Sequence, residues 1–219
     1  RAAHRLDDFG GLPRSRQAQP CELVAGKAGE VGDVGRVLGR QALRAHQVGK
    51  AQAEQIALAL LPALRDGSIA KVVSSPLARA RQTAAAMTDS IEIDERWIEV
   101  AYGVFEGRTM GEVGAAQLAR WRSDPEFAVE GGESLATLAR RLQPALEELA
   151  ETAVDHDVVV VSHVSPIKAA IAWALGVGIE VSWRCRLDQA SISQIALSGR
   201  GPSLAVFNDT SHLGSTFGT

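Results

Sequence analysis

The sequence predicts a layered α/β domain with a mostly parallel sheet, and three observations carry that expectation. Val158 to Val161 are four consecutive valines leading into Ser162-His163, and an apolar run of that length reads as a strand covered on both faces, as parallel strands are. Leu135, Leu138, Leu142 and Leu146 recur at helical spacing, as do Ile167, Ile171 and Leu175. From Gly49 onward strand-like and helix-like segments alternate, the order that a parallel sheet with crossover helices requires.

Taken in order, residues 51–64 read as a helix with Ile56, Leu60, Leu61 and Leu64 on one stripe and Gly67 beyond its end. Residues 69–74 form a short strand. Ser75-Pro76 then opens a second helix, because serine is a favoured N-cap and proline a favoured first helical residue. Residues 91–93 read as another strand, followed by a loop holding Glu99, Gly103 and Gly107. A helix over 110–122 follows, and the leucine-striped helix begins after Gly131-Gly132. After the valine strand, Pro166 starts the next helix. Strands at 191–197 and 204–208, joined by a turn at 199–202, close the sequence.

Residues 1–48 read differently. They contain no Ile, Thr, Tyr or Trp, and their longest apolar run is Leu23-Val24-Ala25. Gly26, Gly29, Gly32 and Gly35 are spaced by three, but four such triplets without proline are too few for a collagen-like helix. The expectation is an atypical N-terminal segment of irregular structure over 1–48 and a regular domain over 49–219.

The net charge is −3, with acidic and basic residues intermixed. That leaves no basic stripe for nucleic acid and no polybasic membrane patch, so the expected partner is a small molecule. Cys21 and Cys185 are the only cysteines, with no CxxC and no Cys/His cluster. This speaks against a zinc site and a disulfide framework and suits a reducing cytoplasm. No apolar run approaches the ~18 residues of a membrane span, and no signal peptide opens the sequence as it stands.

In open α/β sheets ligands sit at the carboxyl ends of strands, and two predicted strands end in polar groups. After the first, Arg79 falls in the opening turn of a helix, where free N–H groups and the helix dipole favour an anion and a guanidinium adds paired donors for phosphate. After the second, His163 lies between a buried strand and a helix start. Glu99 is a carboxylate in a glycine-bearing loop, a candidate proton carrier.

Four segments then fall into a known pattern. Ser74-Ser75-Pro76-Leu77-x-Arg79-Ala80-x-Gln82-Thr83, Glu99-x-x-x-Gly103-x-x-Glu106-Gly107, Gly131-Gly132-Glu133-Ser134 and Val161-Ser162-His163 resemble, in order and spacing, the histidine phosphatase (phosphoglycerate mutase-like) superfamily. Gly49-Lys50-Ala51-Gln52-Ala53 resembles that family's Gly-x-x-Gln-Ala helix start, so the likeness covers about three quarters of the chain. The string from His163 to Lys168 is similar to phosphatase modules fused behind a ribonuclease H domain in some high-GC bacteria, with Val164 where the family usually has Gly.

The resemblance implies a three-layer α/β/α sandwich and a phosphomonoesterase acting on a small phosphorylated metabolite. It gives Arg79 the phosphoryl oxygens, His163 the charge developing on them, and Glu99 the proton passed to the leaving oxygen. It implies no cofactor and no metal. A phosphoglycerate mutase-type phosphotransferase and a non-catalytic phosphate-binding relative are the alternatives. The family's nucleophile is a His in an Arg-His-Gly motif at the end of the first strand, and this sequence contains no such motif. Upstream of Gly49 the histidines are His4 and His46, neither following an apolar strand, so the nucleophile stays unassigned. Re-reading residues 44–48 one nucleotide later permits Ala-Leu-Thr-(Lys or Arg)-(Leu or Ser), which resembles the family's segment before Gly-x-x-Gln-Ala. Mistranslation upstream of Gly49 is therefore one explanation, although that re-reading does not regenerate Arg-His-Gly.

Overall fold

The computed structural model describes residues 19–25, 39–153 and 156–214. The elements are β1 (Gln19–Ala25), α1 (Gly39–Arg65), β2 (Ile69–Ser74), α2 (Ala78–Ala85), β3 (Glu92–Ile93), α3 (Met110–Val113), α4 (Ala115–Ser123), α5 (Leu135–Thr152), β4 (Asp157–Ser162), α6 (Val164–Leu175), β5 (Ile192–Ser198) and β6 (Gly201–Asp209), with short 3-10 turns between several of them. One sheet carries all six strands in the order β3-β2-β4-β1-β5-β6. β3, β2, β4 and β1 are parallel, and β5 runs antiparallel to both β1 and β6.

Alternation along β4 decides how the sheet is covered. Val158 and Val160 turn toward a cluster built on α5 and α6, with Leu138, Leu142, Ala145, Ile167 and Ile171 fully buried against them. Val159 and Val161 turn to the opposite face, onto Ile56 and Leu60 of α1 and Ala80 and Ala84 of α2. All four valines have no exposed surface. A strand with both faces covered in this way makes a three-layer sandwich, the expected architecture.

Several boundaries differ from the sequence expectation. Gln19–Ala25 is a strand between β4 and β5, not irregular structure, and α1 begins at Gly39 and runs unbroken across the division expected at Gly49. His4 and the glycine spacing from Gly26 to Gly35 lie outside the described residues. The helix expected over 110–122 is two helices, because Gly114 adopts φ 85°, ψ 145° and breaks the hydrogen-bond ladder. α2 starts at Ala78, not at Pro76, and α6 starts at Val164 with His163 as its N-cap, two residues before the proline. No helix among the described residues is long and apolar enough to cross a membrane.

Candidate active site

Parallel pairing in register brings two strand ends to one place. Ser74 of β2 lies opposite Val161 of β4, and the Ser75 N–H extends the ladder by donating to the Val161 carbonyl at 2.9 Å. Ser75, Arg79 and His163 therefore converge at the carboxyl edge of the sheet, where free helix N–H groups also point. The His163 ring is 3% exposed and bonded at both nitrogens. Its Nε2 is 2.7 Å from the Ser75 hydroxyl, and its Nδ1 accepts from the Arg79 Nε–H at 3.1 Å.

This geometry fixes the tautomer. A guanidinium N–H only donates, so Nδ1 carries the lone pair, and the ring proton sits on Nε2 and points at Ser75 Oγ. Ser75 thus does not cap a helix of its own; its hydroxyl also accepts the Leu77 N–H at 3.3 Å, steering the chain into α2. Burial, helped by the adjacent Arg79 charge, pushes the His163 pKa down to about 3, so the imidazole is neutral near neutral pH. Arg79 is the second residue of α2 and half-buried. Among the described residues its two Nη groups hold no hydrogen bond, leaving donors for an anion.

Glu99 is half-buried beside the start of α6. Its Oε1 accepts from the Val100 N–H at 2.9 Å and from the Ser165 N–H at 3.2 Å. Burial raises its pKa, and those hydrogen bonds together with Arg79 oppose the rise. Tyr102, to which the sequence assigned no role, adjoins Glu99 and Ser165. Burial and the repulsion of Glu99 push its hydroxyl up to about 12, so it remains a neutral phenol.

The glycine motifs serve to position this carboxylate. Gly103 has φ +51°, and a Cβ there would collide with the backbone of Glu130, Gly131 and Gly132. The close approach lets Val104 N–H donate to the Glu130 carbonyl and Glu133 N–H to the Ala101 carbonyl, while Tyr102 bridges to Gly132. The Glu133 carboxylate grips Arg141 at 2.7 and 2.9 Å. Arg141 in turn donates to the carbonyls of Arg96 and Ile98, the residues leading into Glu99. Ser134 caps α5 by accepting from the Thr137 N–H at 3.0 Å.

The remaining family position lies at the end of β1. Ala25 pairs with Ser162, so β1 reaches the same edge one residue short of His163, and the sequence continues with Gly26-Lys27. No histidine follows there. Among the described residues no group of three or more His, Cys, Asp or Glu side chains gathers as metal ligands do. A groove of about 820 Å³ lined by Arg122, Pro125, Val177, Glu180, Trp183 and Arg184 is separate from these residues.

A sheet with helices on both faces and an arginine–histidine pair at its carboxyl edge defines a three-layer α/β protein. The chain belongs to the histidine phosphatase superfamily: the sequence profile of its branch 1 matches residues 34–210. Phosphoserine phosphatase 1 of Hydrogenobacter thermophilus is 32% identical over 203 residues, covering 89% of this chain and 94% of that protein. A bifunctional protein of Mycobacterium tuberculosis is 35% identical over 157 residues, which is 68% of this chain but 43% of that relative's length. The solved structure of a mycobacterial glucosyl-3-phosphoglycerate phosphatase superposes with a TM-score of 0.70 at 25% identity, covering 89% of this chain and 100% of that one. Relatives of this chain are thus phosphatases and phosphoglycerate mutase-like proteins.

Proposed function

We propose that this chain binds the phosphoryl group of a small phosphorylated metabolite between Arg79 and His163, as a phosphomonoesterase of its family does, and that Glu99 is the proton carrier for the leaving oxygen. The observation that carries the reading is the contact between Arg79 Nε and His163 Nδ1 at 3.1 Å, at the shared end of two parallel strands. Two unlike strand–helix junctions have no packing reason to aim a guanidinium and an imidazole at each other in this position. An anion supplies one: the Nη donors of Arg79 match phosphoryl oxygens, and a dianion beside the ring reverses the electrostatic balance that keeps it neutral. By drawing the Arg79 Nε–H away from His163 Nδ1, the anion would free that nitrogen to take a proton, and the charged ring would then stabilise charge developing on the transferring group. Glu99, its pKa raised by burial, suits proton donation and return. Phosphoserine phosphatase and glucosyl-3-phosphoglycerate phosphatase, the names of two similar proteins, both denote hydrolysis of phosphate monoesters.

In the phosphohistidine route a second histidine attacks phosphorus in line. Ala25 is level with Ser162 and Gly26 follows it, which favours a second reading for the chain as given: a phosphate-binding relative that turns over slowly, by ~10⁴-fold or more below an intact site. Tungstate titration with Arg79→Ala and His163→Ala tests the site, and both substitutions should weaken binding. Acid-quenched labelling with a radiolabelled phosphate ester tests the chemistry and should trap no phosphohistidine. Brisk hydrolysis of p-nitrophenyl phosphate that survives both His4→Ala and His46→Ala overturns the impaired reading. Tungstate affinity indifferent to Arg79 and His163 overturns the site.

A further inference from the structure

We propose that Ser75 is a positioning residue of the phosphoryl site. Its hydroxyl accepts the His163 Nε2–H whether the ring is neutral or charged, which keeps Nδ1 toward the anion and lets the ring take up a proton when the anion arrives. This rests on the phosphoryl site between Arg79 and His163 and adds what governs the proton there.

Ser75 has no exposed surface, so it cannot touch a substrate and acts through the ring. Its place is set by the sheet: the Ser75 N–H donates to the carbonyl of Val161 at 2.9 Å, two residues before His163. Ser74, Ser75 and Ser162 are all fully buried at these strand ends. Ser74 donates to the Ser75 carbonyl at 3.0 Å and Ser162 to the Trp97 carbonyl at 2.7 Å, so both hydroxyls close the backbone. Ser75 instead turns its hydroxyl to a side chain, with His163 Nε2 at 2.7 Å. Helix capping does not explain this. The N-cap of α2 is Leu77, which makes no side-chain cap, and the Leu77 N–H reaches Ser75 Oγ only at 3.3 Å.

The contact matters most once an anion is bound. In the free site the Arg79 Nε–H at Nδ1 already holds the ring proton on Nε2. An anion that draws Arg79 away removes that hold, and among the described residues Ser75 is then the ring's remaining hydrogen-bond partner. An imidazolium has two N–H donors and no acceptor. Its Nδ1–H serves the anion, while its Nε2–H, in a residue 3% exposed, needs an acceptor in the protein. A buried donor without one costs more than the bond itself contributes, so without the Ser75 oxygen the ring resists the second proton. The ionisable groups of the surrounding segments are Arg79 on α2, Glu99 and Tyr102 in the loop after β3, and Lys168 on α6. Arg79 is the one that acts on the ring directly. All four are intact in a Ser75 variant, so a change in the ring's proton affinity is the serine's own effect.

Tungstate is a dianion that does not titrate near neutral pH. Calorimetry of its binding to the full chain, in buffers of different ionisation enthalpy and across pH, gives the pH at which binding takes up half a proton. Ser75→Ala should need a pH lower by about one unit or more, the shift expected from one unsatisfied buried donor. Ser75→Thr, which keeps the oxygen, should match the unsubstituted chain. So should Ser74→Ala, which removes an equally buried hydroxyl bonded to backbone. In the unsubstituted chain the nitrogen NMR signals of the His163 ring should show a proton on Nε2 with and without tungstate, and on Nδ1 only with it. A midpoint unchanged in Ser75→Ala, or equally displaced in Ser74→Ala, overturns the proposal, as does an Nε2 that loses its proton on binding. Tungstate that fails to bind the unsubstituted chain, or binds it with no proton uptake at any pH, is a different result. It removes the phosphoryl reading itself, and the part of Ser75 with it.

Discussion

Acid should unfold this protein through His163, and the size of the effect follows from where the ring sits. The imidazole is held at about 3 in the folded chain against 6.5 for the free group, first by burial and then by Arg79. Below 6.5 the unfolded chain takes a proton that the folded chain refuses, so stability is fully present above that value and is lost as pH falls toward 3. The gap sets a ceiling of ~5 kcal/mol, and between about pH 7 and pH 5 the loss amounts to ~2 kcal/mol. Urea unfolding of the chain and of His163→Gln across that interval should show the unsubstituted protein losing this much more stability than the variant. The imidazole signals in an NMR titration should show the ring still neutral at about pH 5. Parallel pH slopes for the two proteins, or a His163 ring that titrates near 6.5, would refute the reasoning.

The other expectations concern the same site and its support. Glu99 has a raised folded pKa because of burial, so it lowers stability as pH climbs from 4.5 through the folded value; Glu99→Gln should therefore be the more stable protein at alkaline pH, by chemical denaturation, while losing any phosphatase turnover. Gly103→Ala forces a Cβ into the backbone of residues 130–132 at positive φ, and should cost more than the ~1–2 kcal/mol of left-handed strain alone, with weaker tungstate binding because the Glu99 loop shifts. Binding of phosphate should draw a proton onto His163, so calorimetry in buffers of different ionisation enthalpy should report proton uptake near neutral pH, and affinity should fall as pH rises.

How much of this was legible in the sequence depended on whether the determinant was local. The β4 valines and the α5 leucines announce themselves because periodicity alone tells a doubly covered strand from an amphipathic helix. Ser75 was read as a cap because Ser-Pro is a strong local signal, yet its hydroxyl is committed to a ring 88 positions along the chain, a partner no local pattern contains. Tyr102 lay in a quoted motif, but its closeness to Glu99 and Ser165 exists only after packing. β1 was missed for a similar reason: Gln19-Pro20-Cys21-Glu22 has neither alternation nor β-branched residues, and the segment is a strand because β4 and β5 supply hydrogen bonds on both sides. Arg79, Glu99 and His163 were named from the sequence, and the folded chain brings all three to one edge of the sheet.

The placement of β1 also bears on how the protein fails. It comes first of the described strands in sequence, but its neighbours begin at Asp157 and Ile192, so it cannot be clasped on both sides until the sequence beyond Ile192 has been made. Without it the sheet parts into β3-β2-β4 and β5-β6, each presenting a row of unpaired N–H and C=O groups along a fresh border. Such borders recruit any extended segment that passes, including the same segment from another molecule. Damage confined to Gln19–Ala25 would therefore announce itself first as clumping and strand exchange between molecules, before any change in chemistry could be measured.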